Sequence, residues 1–96
     1  MRLPNLKVLR MNNNYFTDVP QSVMDLRNLE NLDISNNRIQ TLSENFWSLD
    51  KLKLISLGAN PWSGATLTSI LEKANVLRQR NTIVNLNSEM DESEEN

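Results

Sequence analysis

The sequence predicts an α/β solenoid: short parallel strands side by side on a concave face, closed at the C-terminal end by a capping helix. Three observations predict it. Apolar residues recur with a period of 23 over the first two-thirds of the 96 residues (Leu3, Leu26, Leu49). An all-asparagine column, Asn14, Asn37 and Asn60, runs through the repeats. The period stops after Trp62 and gives way to apolar spacings of three and four.

The repeat is legible column by column. Leu6, Leu29 and Leu52 align, as do Leu9, Leu32 and Ile55, then Met11, Ile34 and Leu57. Phe16, Ile39 and Trp62 follow the asparagines; Val19 pairs with Leu42, and Val23 with Phe46. Within each repeat the apolar residues alternate with outward ones, as Leu9 and Met11 do around Arg10, which is the period of a strand. The expected strands are 7–12, 30–35 and 53–58. They must be parallel, because the chain travels out and back before each new strand begins. One repeat cannot bury its apolar edge, and stacking makes a continuous core. The column asparagines stand where the chain turns after the strand, Asn37 inward and Asn36 outward. A buried amide there can serve backbone groups of its own turn and of the neighbouring one.

The stretches LKVLRMNNNYF, LENLDISNNRI and LKLISLGANPW resemble the leucine-rich-repeat family, L-x-x-L-x-L-x-x-N-x-L, over residues 3–62. The segment from Asp18 to Leu26, with Pro20, looks like the intracellular Ras-associated subgroup of 23-residue repeats. The second repeat departs there, with Ser43 in place of the proline. The resemblance implies a leucine-rich-repeat solenoid that binds other proteins.

Beyond Trp62, apolar Leu67, Ile70, Leu71, Ala74 and Leu77 describe one face of a helix over 65–79. Pro61, Ser63 and Gly64 mark its start, with Thr66 as the expected N-cap. Asn60-Pro61-Trp62 followed by such a helix resembles the family's C-terminal cap. Secreted caps carry cysteines just after the tryptophan; here stand Ser63 and Gly64, which favours the reducing cytoplasm. Trp62 is expected to cover the open end of the core. Thr82 to Asn87 reads as one further strand. The organisation is therefore repeats over 1–64, a cap over 65–87, and an acidic tail over 88–96. That tail holds five acidic side chains and no basic one, and is expected to be a solvated, disordered segment. Its Ser88 stands three residues before Asp91, a spacing that acidophilic kinases tolerate. Residues 1–87 carry ten basic and seven acidic side chains. Neither part has the basic excess of a nucleic-acid binder.

Composition excludes most chemistry. The chain has no cysteine and no histidine, so thiolate nucleophiles, disulfides, the commonest general base and the commonest metal ligand are missing. Two isolated glycines make no phosphate loop. No apolar run approaches the roughly 18 residues that cross a bilayer, so no membrane insertion is expected. Fifteen asparagines include no Asn-x-Ser/Thr acceptor. The expectation is a non-enzyme without cofactor or metal.

The candidate binding residues are the outward ones on the strands: Val8, Arg10, Asn12, Asn31, Asp33, Ser35, Leu54 and Ser56. Charges alternate in sign along two columns, Lys7–Glu30–Lys53 and Arg10–Asp33. They can neutralise one another at about 0–1 kcal/mol per exposed pair, or can present a donor and acceptor pattern to a partner. Tyr15 is the one aromatic anchor beside the strands. Met24 and Trp47 share a column on the convex side. At the other end nothing before Leu3 covers the first core layer of Leu3, Leu6, Leu9, Met11 and Phe16, which leaves self-association through that uncapped end open. Two functions lead: a cytoplasmic module binding a protein partner through the concave face, or a structural C-terminal capping fragment of a larger scaffold or receptor whose ligand residues lie upstream; a third, an extracellular receptor fragment, is disfavoured by the missing cysteines and glycosylation acceptors.

Overall fold

In the computed structural model, residues 5–86 are described. The strands are β1 (Val8–Arg10), β2 (Asn31–Asp33), β3 (Leu54–Ser56) and β4 (Ile83–Asn85). They form one parallel sheet in the order β1-β2-β3-β4. The register of the first three follows the 23-residue period: Val8 faces Asn31, which faces Leu54. The expected strands shrink to three residues each, though backbone bonds run on past them, Met11 N–H to the Asp33 carbonyl at 2.8 Å and Asn13 N–H to the Ser35 carbonyl at 3.1 Å. Their ends are set by backbone handedness. Asn13, Asn36 and Ala59 all have left-handed φ, at 63°, 56° and 56°, and this turns the chain out of the sheet once per repeat. Asparagine tolerates that conformation; alanine there is strained.

The return segments differ in structure although they align in sequence. In the first repeat Gln21–Met24 forms α1, a single turn behind Pro20. In the second, Glu44–Ser48 is a 3-10 turn whose N-cap, Ser43, accepts a bond from the Asn45 N–H. The residue that departs from the first repeat's proline is therefore a cap. Behind the sheet, Leu29, Leu32, Ile34, Ile39, Phe46, Ile55 and Leu57 are fully buried. Met24 is buried too, and Trp47 lies half-buried edge-on to Phe46, centroids 4.9 Å apart.

The cap is α2, Gly64–Gln79. Its N-cap is Ser63, not Thr66: the Ser63 hydroxyl accepts from Thr66 N–H and donates to the Thr66 hydroxyl. The helix thus begins a residue earlier than expected. Its buried face is also rotated. Ile70 and Ala74 are buried and Leu77 is half-buried, but Leu67 and Leu71 are exposed. The apolar spacing alone is compatible with either rotation; contact with β4 and the core decides it. Trp62 packs on the core as expected and donates from Nε1 to the Leu57 carbonyl at 2.9 Å. Arg78, in the last turn of α2, donates to the Val84 carbonyl at 2.7 Å. Thr82 is buried and its hydroxyl reaches the Leu52 carbonyl at 3.1 Å. The expected further strand is therefore real and is held as the fourth of the sheet. The expectations for Leu3 and for the acidic tail lie outside the described residues.

Candidate protein-binding face

The two faces of the sheet separate by the alternation of the strands. Leu9, Leu32, Ile55 and Val84 point into the core. Val8, Asn31, Leu54 and Ile83 form one outward column; Arg10, Asp33, Ser56 and Asn85 form a second. Neighbours in a column sit on strands about 4.8 Å apart. All eight sequence-predicted candidates lie on or just beyond these strands, on the outward side. Val8 and Arg10 are exposed; Asn12, Asn31, Asp33, Ser35, Leu54 and Ser56 are half-buried.

Ile83 and Asn85 extend the face and were not among the candidates. Ile83 is 63% exposed, an apolar side chain at the end of the Val8–Asn31–Leu54 column. The signal that hid them is spacing. Leu54 to Ile83 is 83 − 54 = 29 residues, because the sixteen-residue α2 lengthens the last crossover past the 23-residue period.

The charge columns behave differently from one another. Glu30 bridges Lys7 at 3.6 Å and Lys53 at 3.7 Å, so the first column is self-neutralising, as the alternation allowed. The second is not. Asp33 turns forward along its own chain, where Oδ1 accepts from Ser35 N–H at 3.0 Å and from the Ser35 hydroxyl at 2.6 Å. No ion pair joins it to Arg10 among the described residues. The local turn wins because Ser35 is two residues away and already placed, whereas closing on Arg10 would order a long, flexible side chain for at most about 1 kcal/mol. Among the described residues Arg10 stands on the face without an ion-pair partner.

The asparagine column stiffens this face from beneath. Asn37 Nδ2 donates to the carbonyls of Met11, Ile34 and Ser35, and its Oδ1 accepts from Phe16 N–H. Asn60 repeats the pattern one turn on: Nδ2 to Ile34, Leu57 and Gly58 carbonyls, Oδ1 from Asn37 and Ile39 N–H. Each amide thus ties two successive turns, which keeps the outward columns in register. The outward Asn36 has its own, exposed ladder, donating to Asn13 Oδ1.

No group of three or more acidic residues that could hold a metal occurs among the described residues. No helix there is long and apolar enough to cross a membrane. What the face offers among the described residues is shape, two apolar ends, amides, hydroxyls and a cation, Arg10, without an ion-pair partner.

Residues 4–61 match the leucine rich repeat family pattern. No curated protein matches the sequence. A similar solved structure is a chain from the octameric complex of Latrophilin 3 (Lec, Olf), Unc5D (Ig, Ig2, TSP1) and FLRT2 (LRR). It superposes with a TM-score of 0.67 at 28% identity, over 86% of this chain and 26% of that one. The present chain therefore spans about a quarter of the length of the chain it resembles.

Proposed function

This chain belongs to the leucine-rich-repeat family, and we propose that its exposed sheet face binds a protein partner, without catalysing a reaction. The observation that carries the proposal is the pair of continuous outward columns across four strands. They put Val8, Asn31, Leu54 and Ile83 beside Arg10, Asp33 and Ser56 on a backbone that Asn37 and Asn60 brace from beneath. A rigid face loses little entropy on binding. The similar solved chain comes from a complex of several proteins, which is consistent with recognition as the task. The cytoplasmic setting belongs to the same proposal and rests on the cysteine-free cap at Ser63 and Gly64.

The test uses the centre of the face, where contacts count most. Asp33 is a poor probe, because its carboxylate also holds the Ser35 turn. Asn31 stands in the middle of the first column. Partners are selected on the unmodified chain by display, and their binding is then compared with Asn31→Lys and with Asn45→Lys in the exposed return segment. Binding should be lost with the first, kept with the second, and melting should be alike for both. Loss with Asn45→Lys alone would place the functional surface on the opposite side.

A second reading has its own observation. Leu6, Leu9, Met11, Phe16, Pro20, Val23 and Leu26 line an apolar recess of about 230 Å³ at the β1 end. This suits a structural unit that closes a longer array, with the ligand residues on other repeats, or a chain that pairs with itself through that end. Concentration-dependent mass by light scattering, abolished by Leu9→Asp, would favour the self-pairing version.

A further inference from the structure

Away from the sheet face, on the rim where the chain turns after β1 and β2, Tyr15 stands out as 76% exposed. The Arg38 guanidinium lies over its ring, 4.5 Å from the centroid. The two belong to equivalent positions of successive repeats (38 − 15 = 23), so the solenoid itself brings them together. The backbone beneath them is clamped on both sides of Tyr15. Asn14 N–H bonds the Asn36 carbonyl at 3.2 Å, Phe16 N–H bonds Asn37 Oδ1 at 3.1 Å, and Arg38 N–H bonds the Phe16 carbonyl at 2.9 Å. The platform is therefore ordered before any ligand arrives.

We infer that the Tyr15–Arg38 pair is a second docking point, and that it takes an aspartate or glutamate side chain of a protein partner. A guanidinium that stacks on a ring uses one face only and keeps its in-plane N–H donors for a carboxylate, which it grips two at a time. Among the described residues no carboxylate pairs with Arg38 and no acceptor takes its side-chain donors. The pair adds little to the fold, because an exposed cation–π contact is weak. Tyrosine and arginine are also the residue types that dominate binding energy at protein interfaces. A single oriented cation suits one carboxylate. A nucleic acid would need a field of cations, and the chain's net charge of −2 does not supply one.

The test is a titration of the full chain with amidated hexaglutamate, followed through the Arg38 Nε–Hε and Tyr15 ring resonances. Saturable shifts of both are expected. Arg38→Gln should abolish them. Arg38→Lys should not restore the unmodified affinity, since an ammonium lacks the fork. Tyr15→Leu should raise Kd about two- to fivefold, the equivalent of an exposed cation–π contact. Arg27→Gln, which removes an exposed cation elsewhere, should change nothing. Both pair residues are exposed, so loss of fold is not the expected cause, and the backbone spectrum of each variant checks this. The inference is overturned if hexaglutamate leaves Arg38 unmoved, if Arg27→Gln is as damaging as Arg38→Gln, or if a single-stranded oligonucleotide binds the pair more tightly than hexaglutamate.

Discussion

Asn60→Ala should destabilise this protein more than Asn37→Ala, and Asn37→Ala more than Asn14→Ala, although the three residues occupy one column of the repeat. The order follows from what each side chain leaves behind. Without Asn60, the carbonyls it served keep other donors: Ile34 keeps Asn37 Nδ2, Leu57 keeps Trp62 Nε1 and Gly58 keeps Asn36 N–H. Two N–H groups, those of Asn37 and Ile39, lose their acceptor, and Ile39 is fully buried. At about 1–3 kcal/mol for each buried group left unsatisfied, the loss is roughly 2–6 kcal/mol. Without Asn37 the Met11, Ile34 and Ser35 carbonyls again keep a donor each. One N–H is stranded, that of Phe16, a residue 39% exposed whose amide can recruit water. The loss there is about 1–2 kcal/mol. Asn14 is exposed and, among the described residues, its side chain donates only to the Met11 and Asn12 carbonyls, so its loss should stay below about 1 kcal/mol. Equilibrium urea unfolding at constant m-value measures all three. Equal midpoint shifts, or an Asn14→Ala variant as damaged as Asn60→Ala, would refute the idea that stranded amides set the cost.

The left-handed column makes a second prediction. Ala59→Asn should raise stability by about 0.5–1 kcal/mol, because φ at 56° is strained for alanine and tolerated by asparagine; an unchanged or lower melting temperature would contradict it. By the same reasoning Asn36→Ala should cost about 1 kcal/mol and Asn36→Gly only a few tenths. Its outward position alone suggests a negligible cost for either, and calorimetry of the pair separates the two views. Gly64→Ala, at the first residue of α2, where an added Cβ meets nothing within 4 Å beyond its chain neighbours and the helix's own backbone, should stabilise by up to about 1 kcal/mol. A drop in melting temperature would mean the helix start is more crowded than its surroundings indicate.

Much of this protein is written in its sequence, because a repeat states its own rule three times. The strand positions, their parallel pairing and the inward column of Leu9, Leu32 and Ile55 follow from a 23-residue period and an alternation of two. So does the asparagine ladder, since an amide recurring where strands end has backbone groups to satisfy. What the sequence left open was decided by contacts between segments far apart in the chain. The α2 face depends on β4, which lies after the helix, so Leu67 and Leu71 could not be told from Ile70 and Ala74 by spacing. Ile83 joined the outward column only because the longer crossover returned it to register beside Leu54. Asp33 and Arg10 read as a charge pair across the sheet, yet the nearer Ser35 captured the carboxylate. Nothing in the sequence marks Arg38, a lone arginine in a turn. Only stacking one repeat on the next set it over Tyr15, since local pattern fixes which residues face outward and tertiary stacking fixes which of them meet.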